Sequence, residues 1–82
     1  MNNILQLSCI PKGATCVIKT ITAHQGIRRR LQDMGLVPGT LVKCIYKSPF
    51  GDPTAYLIRG ALVALRHEDS DSILVTLETG GV

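Results

Sequence analysis

Gln25-Gly26-Ile27-Arg28-Arg29-Arg30-Leu31-Gln32-Asp33-Met34-Gly35-Leu36-Val37-Pro38-Gly39 is the stretch that decides the fold, because the spacing of its apolar residues changes character within it. Ile27, Leu31 and Met34 lie four and three apart, the stripe of one helix face, and predict a short helix from Gln25 to Met34. Gly35, directly after Met34, suits a left-handed cap, and Leu36 supplies the apolar residue that usually packs just beyond it. No Ser, Thr, Asp or Asn stands directly before Gln25, so the helix start carries no side-chain cap signal. Val37-Pro38-Gly39 is then a turn, with Pro suited to its second position and Gly to its third.

Outward from this centre the period is two. Thr40 to Lys47 alternates Val42, Cys44 and Tyr46 against Leu41, Lys43, Ile45 and Lys47, a strand with one apolar and one mixed face. Ser48-Pro49-Phe50-Gly51-Asp52-Pro53 holds too many breakers for a strand and connects a hairpin. Thr54 to Arg59 and Ala61 to Arg66 are two more strands about a turn at Gly60. His67-Glu68-Asp69-Ser70-Asp71 is a polar turn or a single helical turn, Ser72 to Leu77 the last strand, and Glu78 to Val82 a frayed tail.

On the N-terminal side, Pro11-Lys12-Gly13 is a turn and Ala14 to Thr22 a strand, with Cys16 and Ile18 on one face and Val17 and Lys19 on the other. Ile21 is out of step with that face, which requires either a bulge near Thr20 or an inward turn at the strand's end. Five short strands with one helix inserted after the first predict a mainly β domain closed as a small barrel, because closure removes exposed strand edges.

Composition agrees with one thin-cored domain. The chain has 82 residues, 45% of them hydrophobic, with one Phe, two Tyr and no Trp, so Ile, Leu and Val must build the core. No run approaches the ~18 apolar residues of a membrane-spanning helix, and the Met1-Asn2-Asn3-Ile4 start carries no secretory signal. Cys9, Cys16 and Cys44 are an odd, widely spaced set without a C-x-x-C pair, as expected of reduced cytoplasmic thiols used as small apolar fillers. A net charge of +3 mildly favours acidic partners, but aromatic stacking platforms are scarce, so nucleic acid is not expected as a partner.

Arg29-Arg30-Leu31 with Asp33-Met34-Gly35-Leu36 and Pro38-Gly39, followed by Gly51-Asp52-Pro53, Arg59-Gly60, Val63-Ala64-Leu65-Arg66 and Ser72-Ile73-Leu74-Val75, resembles the signature of the FeoA family over residues 5 to 77. The resemblance implies an SH3-like barrel, a cytoplasmic location and an accessory role beside a membrane ferrous iron transporter of FeoB type that carries its own G-protein domain. The His67 to Asp71 segment departs from many relatives, which carry Glu or Ala there. A similar barrel forms the C-terminal domain of iron-dependent repressors, but 82 residues leave no room for DNA-reading helices.

Candidate site residues follow from exposure and charge. Arg28, Arg29 and Arg30 fan away from the helix stripe; they read either as a solvated face with an Arg29–Asp33 pair or, together with Phe50 and Asp52, as a docking surface for the transporter's acidic patches. Gly13, Gly35, Pro38, Gly39, Gly51, Pro53 and Gly60 are structural turn positions. His24 and His67 are the only imidazoles, and the metal ligands are unknown. Weak Fe2+ or Zn2+ binding by a metal-sensing or buffering module, related to the repressor barrels, is the alternative function. Neither phosphate-cradling Gly motif is present, and no nucleophile stands beside a base, so no enzyme activity is expected. Self-association through a barrel edge into a homo-oligomer is compatible with either reading.

Overall fold

Alternating Val, Ile, Leu and Cys residues form strands here because each strand can bury one face against the others. The computed structural model describes residues 3–78. In chain order they form β1 (Ile4–Gln6), a 3-10 turn (Leu7–Cys9), β2 (Thr15–Ile21), α1 (Gln25–Asp33), β3 (Leu41–Lys47), β4 (Thr54–Ile58), β5 (Ala61–Leu65), α2 (His67–Ser70) and β6 (Ile73–Leu77). The expected fraying of the tail falls on residues 79–82, outside the described residues.

All strand pairs are antiparallel, in the order β1-β6-β2-β3-β4-β5. The sheet curls around one core that includes Leu7, Ile10, Ile18, Leu31, Leu36, Val42, Tyr56, Ile58, Ile73 and Val75. The outcome is mainly β and barrel-like, with two corrections to the expectation. There are six strands rather than five, and the sheet is not closed, since β1 and β5 are both edges. The missed strand, Ile4–Gln6, is only three residues long, too short for a period, and is held by its register with β6 from Ile4↔Thr76 to Gln6↔Leu74.

The helix ends as its sequence requires. Leu36 N–H donates to the Leu31 carbonyl at 3.1 Å and Gly35 N–H to the Gln32 carbonyl at 2.9 Å, the paired bonds of a Schellman motif. Gly35 sits at φ +98° to allow this, and Leu31 and Leu36, both fully buried, make the apolar contact that accompanies it. Gly13, Gly39, Gly51 and Gly60 also have positive φ, as expected of the turns named from sequence. Of the predicted helix stripe, Leu31 is buried and Met34 half-buried, but Ile27 is exposed: burial on this helix is concentrated towards its C-terminal end.

Two bulges reset the alternation. One between Ile18 and Thr20 in β2 turns Ile21 into the core. Another between Cys44 and Tyr46 in β3 rotates Tyr46 outward, so the predicted Val42-Cys44-Tyr46 face keeps only its first two members inside.

Candidate functional site

Helix α2 is only one turn long, yet together with the residue after it, it ties three other stretches of chain together. His67 N–H donates to Asp52 Oδ1 at 2.8 Å, fixing the 48–53 loop. Arg30 Nη2 donates to both carboxylate oxygens of Asp69 at 3.2 Å, fixing α1. Beyond the turn, Asp71 accepts from Ser8 Oγ through its carboxylate and from Gln6 Nε2 through its carbonyl, and its Oδ1 lies 3.7 Å from His67 Nε2. Ser70 is buried beneath, donating to the Arg66 and His67 carbonyls.

This network divides the residues expected to meet a partner. Arg30 and Asp52 already have partners within the domain. Arg28 and Arg29 have none among the described residues, and the helical Arg29–Asp33 pair does not form. With Gln25, Gly26 and Gln32 these two arginines line a shallow concavity on the outer face of α1 that contains no acidic side chain. Phe50 is 95% exposed at the tip of the 48–53 loop, which is braced by Gly51 N–H donating to the Ser48 carbonyl at 2.8 Å. The α2 turn therefore connects α1 and the 48–53 loop through Arg30 and Asp52, the two predicted residues that are already engaged.

Arg59 was not singled out by sequence reasoning. It occupies φ +50°, followed by Gly60 at φ +81°, so the β4–β5 hairpin closes with two left-handed residues. Its side chain lies over Gly35: a Cβ there would meet Arg59 Cδ at 3.2 Å. Arg-Gly between two apolar runs is the signal in the sequence, but Gly60 alone is enough to account for a turn there.

Thiols and carboxylates among the described residues are scattered rather than gathered at one point. Among the described residues no three His, Cys, Asp or Glu side chains converge as a transition-metal ion requires. Cys16 and Cys44 are buried, and burial pushes both thiols up, Cys16 to about 12, which favours the protonated form that does not ligate. Burial likewise raises the Tyr56 phenol to about 12, and its hydroxyl donates to the Leu7 carbonyl inside the barrel.

Comparison with known proteins places this geometry. Residues 5–77 match the FeoA domain. The chain is 33% identical over 73 residues to the Fe(2+) transport protein A/Fe(2+) transporter FeoB fusion protein of Porphyromonas gingivalis, covering 89% of this chain but 9% of that relative's length. It is similar to the FeoA-like protein of Clostridium acetobutylicum, with a TM-score of 0.88 at 29% identity over 100% of this chain and 95% of the other. The zinc-complexed FeoA of Stenotrophomonas maltophilia, described as a prokaryotic SH3 domain protein, superposes with a TM-score of 0.75 at 28% identity over 92% and 88% of the two chains. No helix among the described residues is long and apolar enough to cross a membrane. The motif turns, the antiparallel SH3-like frame and the match over residues 5–77 make this chain a member of the FeoA family, small domains associated with ferrous iron transport.

Proposed function

We propose that the domain is a cytoplasmic accessory module of ferrous iron uptake that docks on the G-protein part of a FeoB-type transporter and modulates its activity. The observation that carries this reading is the relative in which an FeoA segment and an FeoB transporter are one polypeptide, a tether that is useful only if the two act together. The surface that fits it is the acid-free concavity of Arg28 and Arg29, whose guanidinium forks can each grip a carboxylate through two hydrogen bonds. Phe50 offers an apolar anchor from a second direction.

Arg28→Ala with Arg29→Ala tests it, by calorimetry against the transporter's purified cytosolic domain. Binding should weaken by about tenfold and lose part of its salt dependence, since rim charges act mainly on association and its screening. Unchanged affinity and salt slope would refute the helix-face docking. The zinc held by the Stenotrophomonas maltophilia relative favours a second reading, a transition-metal sensor or buffer. A stoichiometric site for Zn2+ or Fe2+ under reducing conditions would support that reading, against the absence of converging ligands among the described residues.

A further inference from the structure

β5, with the sequence Ala61-Leu62-Val63-Ala64-Leu65, is an outer strand whose ladder partner among the described residues is β4 alone. Proteins usually blunt such edges with shortness, Lys, Pro or a bulge. The opposite edge, β1, is blunted by being three residues long. β5 has none of these devices: its register runs unbroken from Thr54↔Leu65 to Ile58↔Ala61, and it carries no charge and no Pro.

The hairpin turn sets which backbone groups are free. With Arg59-Gly60 as a two-residue turn, Ile58 and Ala61 form the closing hydrogen-bonded pair. By antiparallel alternation, the N–H and C=O groups of Leu62 and Ala64 then point away from β4. The Leu62 side chain is 63% exposed and stands opposite Leu57, itself exposed on the same outer face.

Charge says what would cover this edge. Arg59 and Arg66 bracket β5, and among the described residues neither has an ion-pair partner. No acidic residue lies on β4 or β5. Arg59 is moreover held in the left-handed region, where Gly or Asn would sit with less strain, and strain kept at an exposed cation is a mark of use. A second copy is the poorer occupant. Two-fold antiparallel pairing about Val63 would set Ala61 against Leu65 and so bring Arg59 of one copy to the end of β5 that carries Arg66 in the other, two cations at one end with no carboxylate on either strand to offset them.

We propose that β5 is a docking edge for an extended segment of a partner protein, which adds to the sheet as a seventh, antiparallel strand with alternating apolar residues and acidic residues at both ends. The Leu62 and Ala64 backbone groups supply the ladder, Leu62 the apolar contact, and Arg59 and Arg66 the selection by charge. The proposal does not rest on the transporter reading, because the occupant is defined by its chemistry and the edge is separate from the α1 concavity.

The test is fluorescence anisotropy of the full chain with a labelled Glu-Asp-Val-Thr-Val-Thr-Val-Asp-Glu peptide and a counterpart with Lys at its four terminal acidic positions. The acid-ended peptide should bind saturably, and the Lys-ended one about tenfold or more weakly. Ala64→Pro removes an outward N–H while leaving the β4 ladder in place, and should abolish the binding in a protein whose melting temperature is retained. Arg66→Glu should narrow the preference between the two peptides. In case Ala64→Pro fails to fold, amide exchange on the unaltered protein gives the same answer: the Leu62 and Ala64 amides should slow when the acid-ended peptide is added. Equal binding of both peptides, or no slowing at these amides, overturns the proposal. Self-association without peptide binding, with the Leu62 and Ala64 amides protected in the dimer, would assign the edge to a second copy and overturn it as well.

Discussion

Replacing Gly35 with Ala perturbs the helix end on which both the packing of Leu36 and the position of Arg59 depend. At φ +98° an L-residue costs about 1–2 kcal/mol relative to its usual regions. The stiffer unfolded chain returns about 0.4–1 kcal/mol of that. The new Cβ would stand 3.2 Å from Arg59 Cδ and 3.5 Å from Ile58 Cγ2. The first is part of an exposed, flexible side chain that can swing aside, so the contact adds only a few tenths of a kcal/mol. The net loss is about 1 kcal/mol, against a total near 4–12 kcal/mol for a domain of this size, and should lower the melting temperature by about 4–8 °C. Urea unfolding with an unchanged m-value is the assay. Gly60→Ala is the internal control, because Gly60 has φ +81° but nothing within 4 Å of an added Cβ, and it carries the backbone strain alone. The excess of Gly35→Ala over Gly60→Ala should vanish in an Arg59→Ala background. A Gly35→Ala protein as stable as the parent would refute the left-handed cap and the contact reasoning together.

Two further expectations concern the core and the α2 network. The Cys16 thiol keeps its proton to about pH 12 in the folded state, whereas an unfolded chain releases it near 9, so its contribution to stability is whole below pH 9 and is lost as pH rises toward 12. The slope is up to about 1.4 kcal/mol per pH unit, Tyr56 adds to it in the same direction above pH 10, and urea midpoints across that window should flatten in Cys16→Val; an unaltered slope would mean that burial of this thiol is not the cause. For Arg30 and Asp69, a double-mutant cycle to Ala should give a coupling of about 0.5–1 kcal/mol, since the arginine is exposed but its acidic partner is mostly covered. Zero coupling would return Arg30 to the set of residues available for docking.

The helix, its glycine cap and four of the turns were legible in the sequence because each is a local event. Leu31 and Gly35 are set by residues within one turn of them, and Pro38-Gly39 and Gly60 by backbone angles that few other residues accept. What was not legible depends on partners far along the chain. β1 exists only because β6 offers it Thr76 to Leu74, some seventy residues away, and nothing in Ile4-Leu5-Gln6 announces that pairing. Tyr46 fits the apolar face of its strand by period and leaves it through a bulge, a one-residue event that reverses every later side chain. Arg30 looks like its neighbours in the basic run, and is set apart only by Asp69. The candidate surface was thus readable as a type of residue and not as a set.

The open sheet changes what the cations around it can do. In a closed barrel, Arg59 would decorate a turn and Leu62 would be one more exposed apolar residue. With β5 left as an edge, the same two residues belong to a row of free backbone groups that can bind another chain directly, and the strain at Arg59 gives the row a preferred charge at one end while Arg66 supplies the other. α1 presents its own pair, Arg28 and Arg29, on a separate element anchored to α2 through Arg30 and Asp69. Rigid elements that hold unpaired cations at fixed spacing lower the cost of ordering a partner, so recognition at the two proposed surfaces would depend on the frame as much as on the charges. The interior of so thin-cored a domain is wholly taken up by packing, so any specificity it has lies in the surfaces its frame holds out, the α1 face and the edge where the sheet stops.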